Sequence, residues 1–439
     1  MRVKEPLTLM LPKHVITNID KYIEASYSSN TDREYICYIV HHLHYQESIT
    51  RKKDEQFTLI KTNDLKSLFK SDKTINYYLK EMKENQIIES DNKAIPGKKS
   101  FHYKSIDLIY DSTTEIEINP DGKLYAAITQ RCFLQNKNNN RLAPHLNQMK
   151  KKLKSIEFDS EEAIIFVNKN YSGNQLFSAL SNINRIKSSK TRFFKRNKTN
   201  QRLDTNFTNL KSELRQFIVG DYINIDLKNS QPFLLSRVIN RLINLAQPNR
   251  DTLCSIKESE RVIKVLKNET VKALELIPQL LFESLNEEIK TFMDKCTQGV
   301  FYDHFLEFDS FKNLTRDNVK EIMMEVLFSR NHYEKYGKKI IPYKENKNRF
   351  KSKYPGIYEI IECLKTKKHS SLAIALQLEE SYLFIDVIAK KLCEAGIVPI
   401  TIHDSLVVER EHEQESLKII SNVFKEAYGV VPKFHVKAL

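Results

Sequence analysis

Two short apolar segments, far apart in the chain, each end in an aspartate, and that recurrence restricts the possible folds more than any other feature. In "DYINIDLKNSQPFLL", Ile223 and Ile225 alternate with Tyr222, Asn224 and Asp226. The period of two makes this a strand with Asp226 at its C-terminal end. In "PITIHDSLVVERE", Pro399 to Glu411, two strand-like pieces flank His403, Asp404 and Ser405. Asp and Ser are ordinary turn residues, so the tripeptide alone reads as a hairpin tip. Two strand-end aspartates side by side mean more, because they could hold two Mg²⁺ ions about 3.5–4 Å apart. Mg²⁺ needs only one or two carboxylates plus substrate phosphates, so no larger ligand cluster is required. Mn²⁺ would be the natural substitute.

The 439 residues suffice for two or three domains with separate cores. Lys and Arg outnumber Asp and Glu by 70 to 56, a formal charge of +14 that favours a polyanionic partner, most simply nucleic acid. The six cysteines are dispersed without a CxxC pair, which points to reduced thiols in the cytoplasm rather than a zinc site or disulfide frame. No apolar run approaches a membrane span, and no signal-peptide core opens the chain. With nine glycines and no GxxxxGKS/T loop, any nucleotide must be held by side chains and a metal.

The first segment, to about Ile109, reads as a small helical domain ending in a hairpin. "DREYICYIVHHLHY" has a helical apolar period, "KTNDLKSLFKS" follows with an N-cap candidate, and "DKTINYYLKEMKENQIIES" supplies a third helix. That is a helix-turn-helix order. "QIIESDNKAIPGKKSFHYKSIDLIY" then reads as a strand, a basic Pro-Gly loop and a strand, which a wing would need. On this winged-helix-like reading Lys73, Asn76, Tyr77 and Lys80 face a DNA groove, and Lys98, Lys99 and His102 lie on the wing. Any three-helix domain gives a similar pattern, so that alternative stays open. Beyond an Asn-rich stretch, "NRIKSSKTRFFKRNKTNQR" holds eight Lys/Arg and no acid around Phe193 and Phe194. Basic residues among aromatics suit a flexible loop along a phosphate backbone; a solvated basic loop would look the same.

Between the two aspartates lies "LTRDNVKEIMMEVLFSRN", a helix on which Arg316, Lys320, Met324 and Phe328 recur every four residues along one slowly drifting face. Two cations followed by an apolar residue and an aromatic fit a helix that presents charge to a triphosphate and its far end to a base. A surface amphipathic helix with Met324 and Phe328 in the core is the alternative.

Order and spacing resemble the catalytic half of family A DNA polymerases and the related single-subunit phage-type RNA polymerases. "NIDLKNSQP" resembles their first palm motif, R-xxx-K-xxx-M-xxx-F their fingers-helix motif, and "IHDSLVVE" their last palm motif. The last is followed, as in the family, by a helix ("EQESLKIISNVFKEAYG") and a closing strand ("VPKFHVKAL"). "RLDTNFTNLKSELRQFI" and "FKSKYPGIYEII" are similar to the segments that flank the first carboxylate and follow the fingers helix. The likeness covers roughly residues 200–439; the first 200 show none, nor any proofreading-exonuclease signature.

The resemblance implies Asp226 and Asp404 as metal ligands, Lys320 as triphosphate ligand and proton donor to pyrophosphate, and Arg316 as a grip on the outer phosphate. It implies Phe328 near the template base and incoming sugar, Arg202 in the minor groove at the primer end, and His403 near the primer 3′ end. Gln377 and Glu380 would orient these groups. Departures exist. Phe328 replaces the usual Tyr, and the glycine that usually follows nearby is missing. Gln231 stands where the DNA-synthesising branch has Glu and the RNA-synthesising branch a small residue, whereas "HDS" is commoner in the RNA branch. Gln231 would touch the sugar, so the balance leans towards deoxynucleotides.

The expected fold is α+β, a winged-helix-like domain followed by a palm of small antiparallel sheet backed by helices. The expected segments are residues 1–115 (DNA-binding), 116–200 (helical, thumb-like), 201–254 (palm), 255–350 (fingers) and 351–439 (palm). The expected activity is template-directed nucleotidyl transfer, foremost DNA-directed DNA synthesis for a plasmid, phage or other mobile element. Its partners would be primer–template and duplex DNA and nucleoside triphosphates. A phage-type RNA polymerase or primase-like enzyme is the first rival. A winged-helix initiator or regulator with an inactive palm is the second.

Overall fold

A computed structural model describes residues 7–26, 30–49, 58–59, 65, 68–69, 72–91, 102–105, 113–137, 142–246, 265–266, 272–278, 285–335 and 337–439. Helices and small antiparallel sheets make the fold α+β. The chain divides into two compact units: residues 1–142, 150–195 and 204–220 in the first, and 143–149, 196–203 and 221–439 in the second.

In the first unit, β1 (Leu7–Pro12) pairs antiparallel with β5 (Thr113–Ile118) over six residues, Leu7 opposite Ile118 and Pro12 opposite Thr113. The expected boundary at residue 115 therefore falls inside a strand. This ribbon escapes a reading of helical periods because "LTLMLP" is an almost continuous apolar run, buried at five of its six positions. Helices α1 (Lys13–Ser26) and α2 (Asn30–Ile49) pack on it, and α3 (Asp72–Glu84) joins the same core, which holds Ile19, Leu43, Ile75 and Met82 with Leu11. A second sheet orders β2 (Thr58–Leu59), β4 (His102–Ser105) and β3 (Ile88–Ser90), with β4 central. Four helices follow: α4 (Lys123–Lys137), α5 (Pro144–Ser155, of which residues 150–155 belong to this unit), α6 (Ser160–Asn170) and α7 (Gly173–Lys187). The last packs on β1 and α2, where Asn184 donates to the Thr8 carbonyl and accepts the Thr8 hydroxyl at 2.5 Å.

Part of the basic run after α7 is buried rather than laid out in solvent. Arg192 is buried and donates to the carbonyls of Ile186, Leu153, Lys154 and Ile156, so its charge closes the C-terminal ends of α5 and α7. Phe194 is buried beside it in sequence. Four carbonyls replace the water that a guanidinium would lose, which is what lets this arginine leave the surface.

The second unit is built on a four-stranded antiparallel sheet in the order β7 (Ile400–Ile402), β8 (Ser405–Glu409), β6 (Tyr222–Leu227), β9 (Phe434–Ala438). Ile223, Ile225 and Leu227 of β6 enter the core with Leu406 and Val408 of β8. Register explains it: Leu406 faces Ile225 and Val408 faces Ile223, so apolar residues share one face. Behind them, Phe233 on α8 (Ser230–Ala246) meets Phe424 and Tyr428 on α16 (Glu413–Tyr428) at 5.7 and 5.8 Å between ring centroids.

Helices α9 (Leu285–Thr297), α10 (Phe301–Leu306), α11 (Arg316–Phe328), α12 (Lys344–Lys353) and α13 (Pro355–Cys363) surround an aromatic core of Phe292, Phe301, Phe305, Phe350 and Tyr354. The "YPG" segment starts α13, with Pro355 in the first turn where no N–H is needed. Glu288 of α9 accepts the free amides of Gly356 and Ile357 there at 3.3 and 2.8 Å. Helix α14 (Ser371–Ser381) runs into a π-helical turn, Tyr382–Ile388, and then α15 (Ala389–Glu394).

Candidate functional site

The site grows from the end of β6. Ser405 is the register partner of Asp226, and the amide of Leu227 donates to the carbonyl of Asp404 at 3.2 Å. Asp404 thus occupies the hairpin turn immediately before the residue paired with Asp226. Both aspartates are half-buried. The turn needs His403 at φ 58°, a left-handed conformation that costs a β-carbon-bearing residue energy and collects at sites whose surroundings enforce it. On the other side, β9 places His435 opposite Asp226.

A third carboxylate lies close by but is bound differently. Glu380 of α14 is 1% exposed, and its Oε2 accepts Arg202 Nη2 and Gln231 Nε2, each at 2.7 Å. Burial pushes its carboxyl up to about 7, the charge of Asp404 pushes the same way, and Arg202 and Gln231 oppose them. Its Oε1 has no partner. Glu380 therefore works as an anchor for two side chains. The same helix and the π-helical turn after it hold the 196–202 segment: Asn200 donates to Gln377 at 3.0 Å and Ser381 donates to the Asn200 carbonyl, while Arg196 grips Asp386 in the turn with two bonds of 3.0 and 2.8 Å. Arg202 and Gln377 are linked through Asn200, whose side chain accepts the Arg202 amide and donates to Gln377. Gln231 sits in the first turn of α8 with its amide fixed on Glu380.

Helix α11 forms as its sequence predicts. Thr315 and Asn318 close a reciprocal capping box at its start, and Val319, Ile322, Met323, Val326 and Leu327 make its buried side. Arg316 and Lys320 are exposed, and Met324 and Phe328 half-buried, so the cationic face is separate from the core face. Arg316 donates to Asn229 at 3.4 Å, lies 3.3 Å from Asp303, and stacks 5.2 Å above the ring of Tyr302. Asn229 follows Asp226 by three residues, at φ 54°. Burial raises the Tyr302 phenol; among the nearby charges Arg316 opposes this and Asp404 adds to it. The Arg316–Asn229 contact, three residues beyond Asp226, is what brings the start of α11 to the carboxylate end of the sheet.

Two lysines that sequence reasoning passed over fix the other end of α11. Lys365 is buried and donates to the carbonyls of Val326 and Ser329, the latter at 3.1 Å, while buried Lys347 donates to that of Arg330. Burial brings the Lys365 ammonium down to about 7, helped by Lys347 and opposed by Glu362. In sequence they are two lysines among many; only their carbonyl partners distinguish them.

Among the described residues no group of three or more His, Cys, Asp or Glu is placed to hold a metal. Asp226 and Asp404 fit a hard cation that takes one or two protein carboxylates and completes its shell with substrate oxygens and water. Glu380 already commits its Oε2 to a guanidinium and an amide. Of the proposed DNA-facing residues, Lys80 is exposed and lies 3.6 Å from Glu84, and Asn76 and Tyr77 are exposed on the same helix. His102 lies 3.3 Å from Asp91. The side chain of Lys73, and Lys98 and Lys99 altogether, lie outside the described residues. No described helix is long and apolar enough to cross a membrane.

No family model matches the sequence, and no curated protein matches it. Among solved structures, the POL domain of Pol1 from M. smegmatis, in complex with DNA primer-template and dNTP, aligns over 64% of this chain and 55% of its own at 14% identity. The TM-score is 0.25, and this chain spans little more than half of that neighbour. A likeness of that size identifies neither family nor activity.

Proposed function

We propose that the protein is a template-directed nucleotidyltransferase, foremost a DNA-directed DNA polymerase. The observation that carries this reading is the β6–β8 register, which sets Asp226 beside the Asp404 turn at the sheet end that Arg316 also approaches. Asp226 and Asp404 would hold Mg²⁺. When bound, the ions would supply a lowered pKa for a 3′-hydroxyl and a counter-charge for the transferred phosphoryl group. Arg316 would bind the outer phosphate of a nucleoside triphosphate as a planar fork. Lys320, one turn along the same exposed face, would bind the triphosphate and give its proton to the departing pyrophosphate. Glu380 would keep Arg202 and Gln231 in place beside the primer terminus and the sugar, and Phe328 would flank the base.

The N-terminal unit would contribute duplex binding through the exposed face of α3. An enzyme with its own DNA-binding segment would suit the replication of a mobile element. Primer extension on defined DNA and RNA templates, with ribo- and deoxynucleotides supplied separately, tests the reading. Mg²⁺-dependent extension with deoxynucleotides is the expected result. Preference for ribonucleotides would move the assignment to an RNA polymerase or primase. Site-specific DNA binding without any incorporation would favour a regulator with an inactive palm.

A further inference from the structure

The N-terminal unit contains a cavity of about 620 Å³, within the range of small-molecule sites. All of its lining residues belong to that unit, so it is separate from the carboxylate site. Four cations line it, Arg131, Arg185, Lys187 and Lys195, against one carboxylate, Asp204. Apolar and aromatic side chains, including Tyr38, Ile128 and Phe193, make up much of the rest.

The cations are brought together by the fold rather than by sequence. Arg131 comes from α4, Arg185 and Lys187 from the last turn of α7, and Lys195 from beyond the buried Arg192. Arg185 lies 4.5 Å over the Tyr45 ring, which fixes its guanidinium plane. Among the described residues neither Arg185 nor Lys195 has a carboxylate partner; Lys187 has a loose one, Glu115 at 3.9 Å. Burial raises the Cys132 thiol on the same wall, and the charges of Arg185 and Arg131 oppose the rise, so both guanidiniums act on this wall. The hydroxyl of Ser181, 1% exposed and also on the lining, has no hydrogen-bond partner.

We propose that this cavity binds a phosphorylated nucleoside, with phosphate on Arg185, Arg131, Lys187 and Lys195 and the base against Tyr38 and Phe193. A cationic rim alone would suit any anion, but cations converging on aromatic and apolar walls suit an anion joined to a flat ring. The source is either a free nucleotide or the terminal nucleotide of a strand. Binding here needs no metal, because the charge is supplied by side chains.

Equilibrium dialysis of the full-length protein against labelled ATP in excess EDTA and low salt isolates this site from any metal-dependent one. The expected result is saturable binding of one ATP per chain. It should weaken at least tenfold in the Lys187→Glu/Lys195→Glu variant, return in Lys187→Arg/Lys195→Arg, and be unchanged in Lys320→Ala. Both reversed lysines are exposed, and an unaltered melting temperature confirms that the unit is intact. Competition then separates the sources: a 5′-phosphorylated tetranucleotide that displaces ATP better than its dephosphorylated form indicates a strand end, and the reverse order a free nucleotide. No saturable binding in EDTA, or binding indifferent to the charge reversal, would overturn the proposal. So would binding lost with Lys320→Ala. None of these results bears on whether the carboxylate site extends a primer.

Discussion

The two units gather opposite charges. At the end of the second unit's sheet stand Asp226, Asp404 and the anchored Glu380, whereas the first unit's cavity collects Arg131, Arg185, Lys187 and Lys195. On the proposed function and the cavity proposal, the carboxylates would meet phosphate through a divalent ion and the cations directly. If both proposals hold, one basic chain would treat the same chemical group in a metal-dependent and a metal-independent way. The contrast also separates what each unit should feel when metal, salt or pH is changed.

The sharpest way to break the comparison is to take away metal and cation in turn. Chelation of Mg²⁺ should abolish incorporation and leave ATP binding to the cavity within about twofold, since no ligand there requires it. Lys320→Ala should lower kcat/KM for incorporation by about 10²-fold, a usual size for losing a group that stabilises transition-state charge. Steady-state extension assays measure both; incorporation that survives chelation would remove the difference between the units.

Acid should unbalance the units next. Burial lowers His41 to about 3 and His44 to about 4, so both stay neutral in the folded first unit. Below an unfolded value near 6.5 the unfolded chain binds protons that the folded unit refuses. Stability is therefore lost as pH falls from about 6.5 towards 4, by about 1.4 kcal/mol per unit of pH for each histidine. Urea melts at pH 7 and 5 should show on the order of 2 kcal/mol lost per histidine, relieved in part by His44→Gln. A pH-independent midpoint would contradict it.

Two smaller effects belong to the second unit. Lys365→Met should cost about 1–3 kcal/mol, because the Val326 and Ser329 carbonyls lose their donor inside the core. Thermal melts at neutral pH would show it. Gln231→Ala should raise the ribo- to deoxynucleotide ratio of kcat/KM by about tenfold, worth roughly 1.4 kcal/mol, since Glu380 keeps Arg202 and the carboxylates do not move. An unchanged ratio would place Gln231 away from the sugar.

Legibility in the sequence followed the range of each interaction. The alternation in β6, the hairpin around Asp404, the four-residue repeat on α11 and the closing helix and strand are local patterns, and each was readable. The β1–β5 ribbon was not, because its partners stand a hundred residues apart and "LTLMLP" lacks alternation. Arg192 and Arg202 belong to one basic run, yet the first closes helix ends by four carbonyls and the second is held by Glu380. Their side chains are identical, so only long-range partners tell them apart. Glu380 was readable as a residue beside the last motif but not as the hub of Arg202 and Gln231, since its bonds span 178 and 149 positions. The cavity's cations were invisible as a group for the same reason.

The central claim is that Asp226 and Asp404 form one centre for metal-dependent nucleotidyl transfer. Single-turnover primer extension with Mg²⁺, by wild type, Asp226→Asn and Asp404→Asn, tests it most directly when thermal melts are run alongside. Each change keeps the side chain's shape and removes an anionic ligand. Both variants should melt near the wild type and lose incorporation by at least about 10²-fold. Near-wild-type extension by either variant, with folding intact, would contradict the claim.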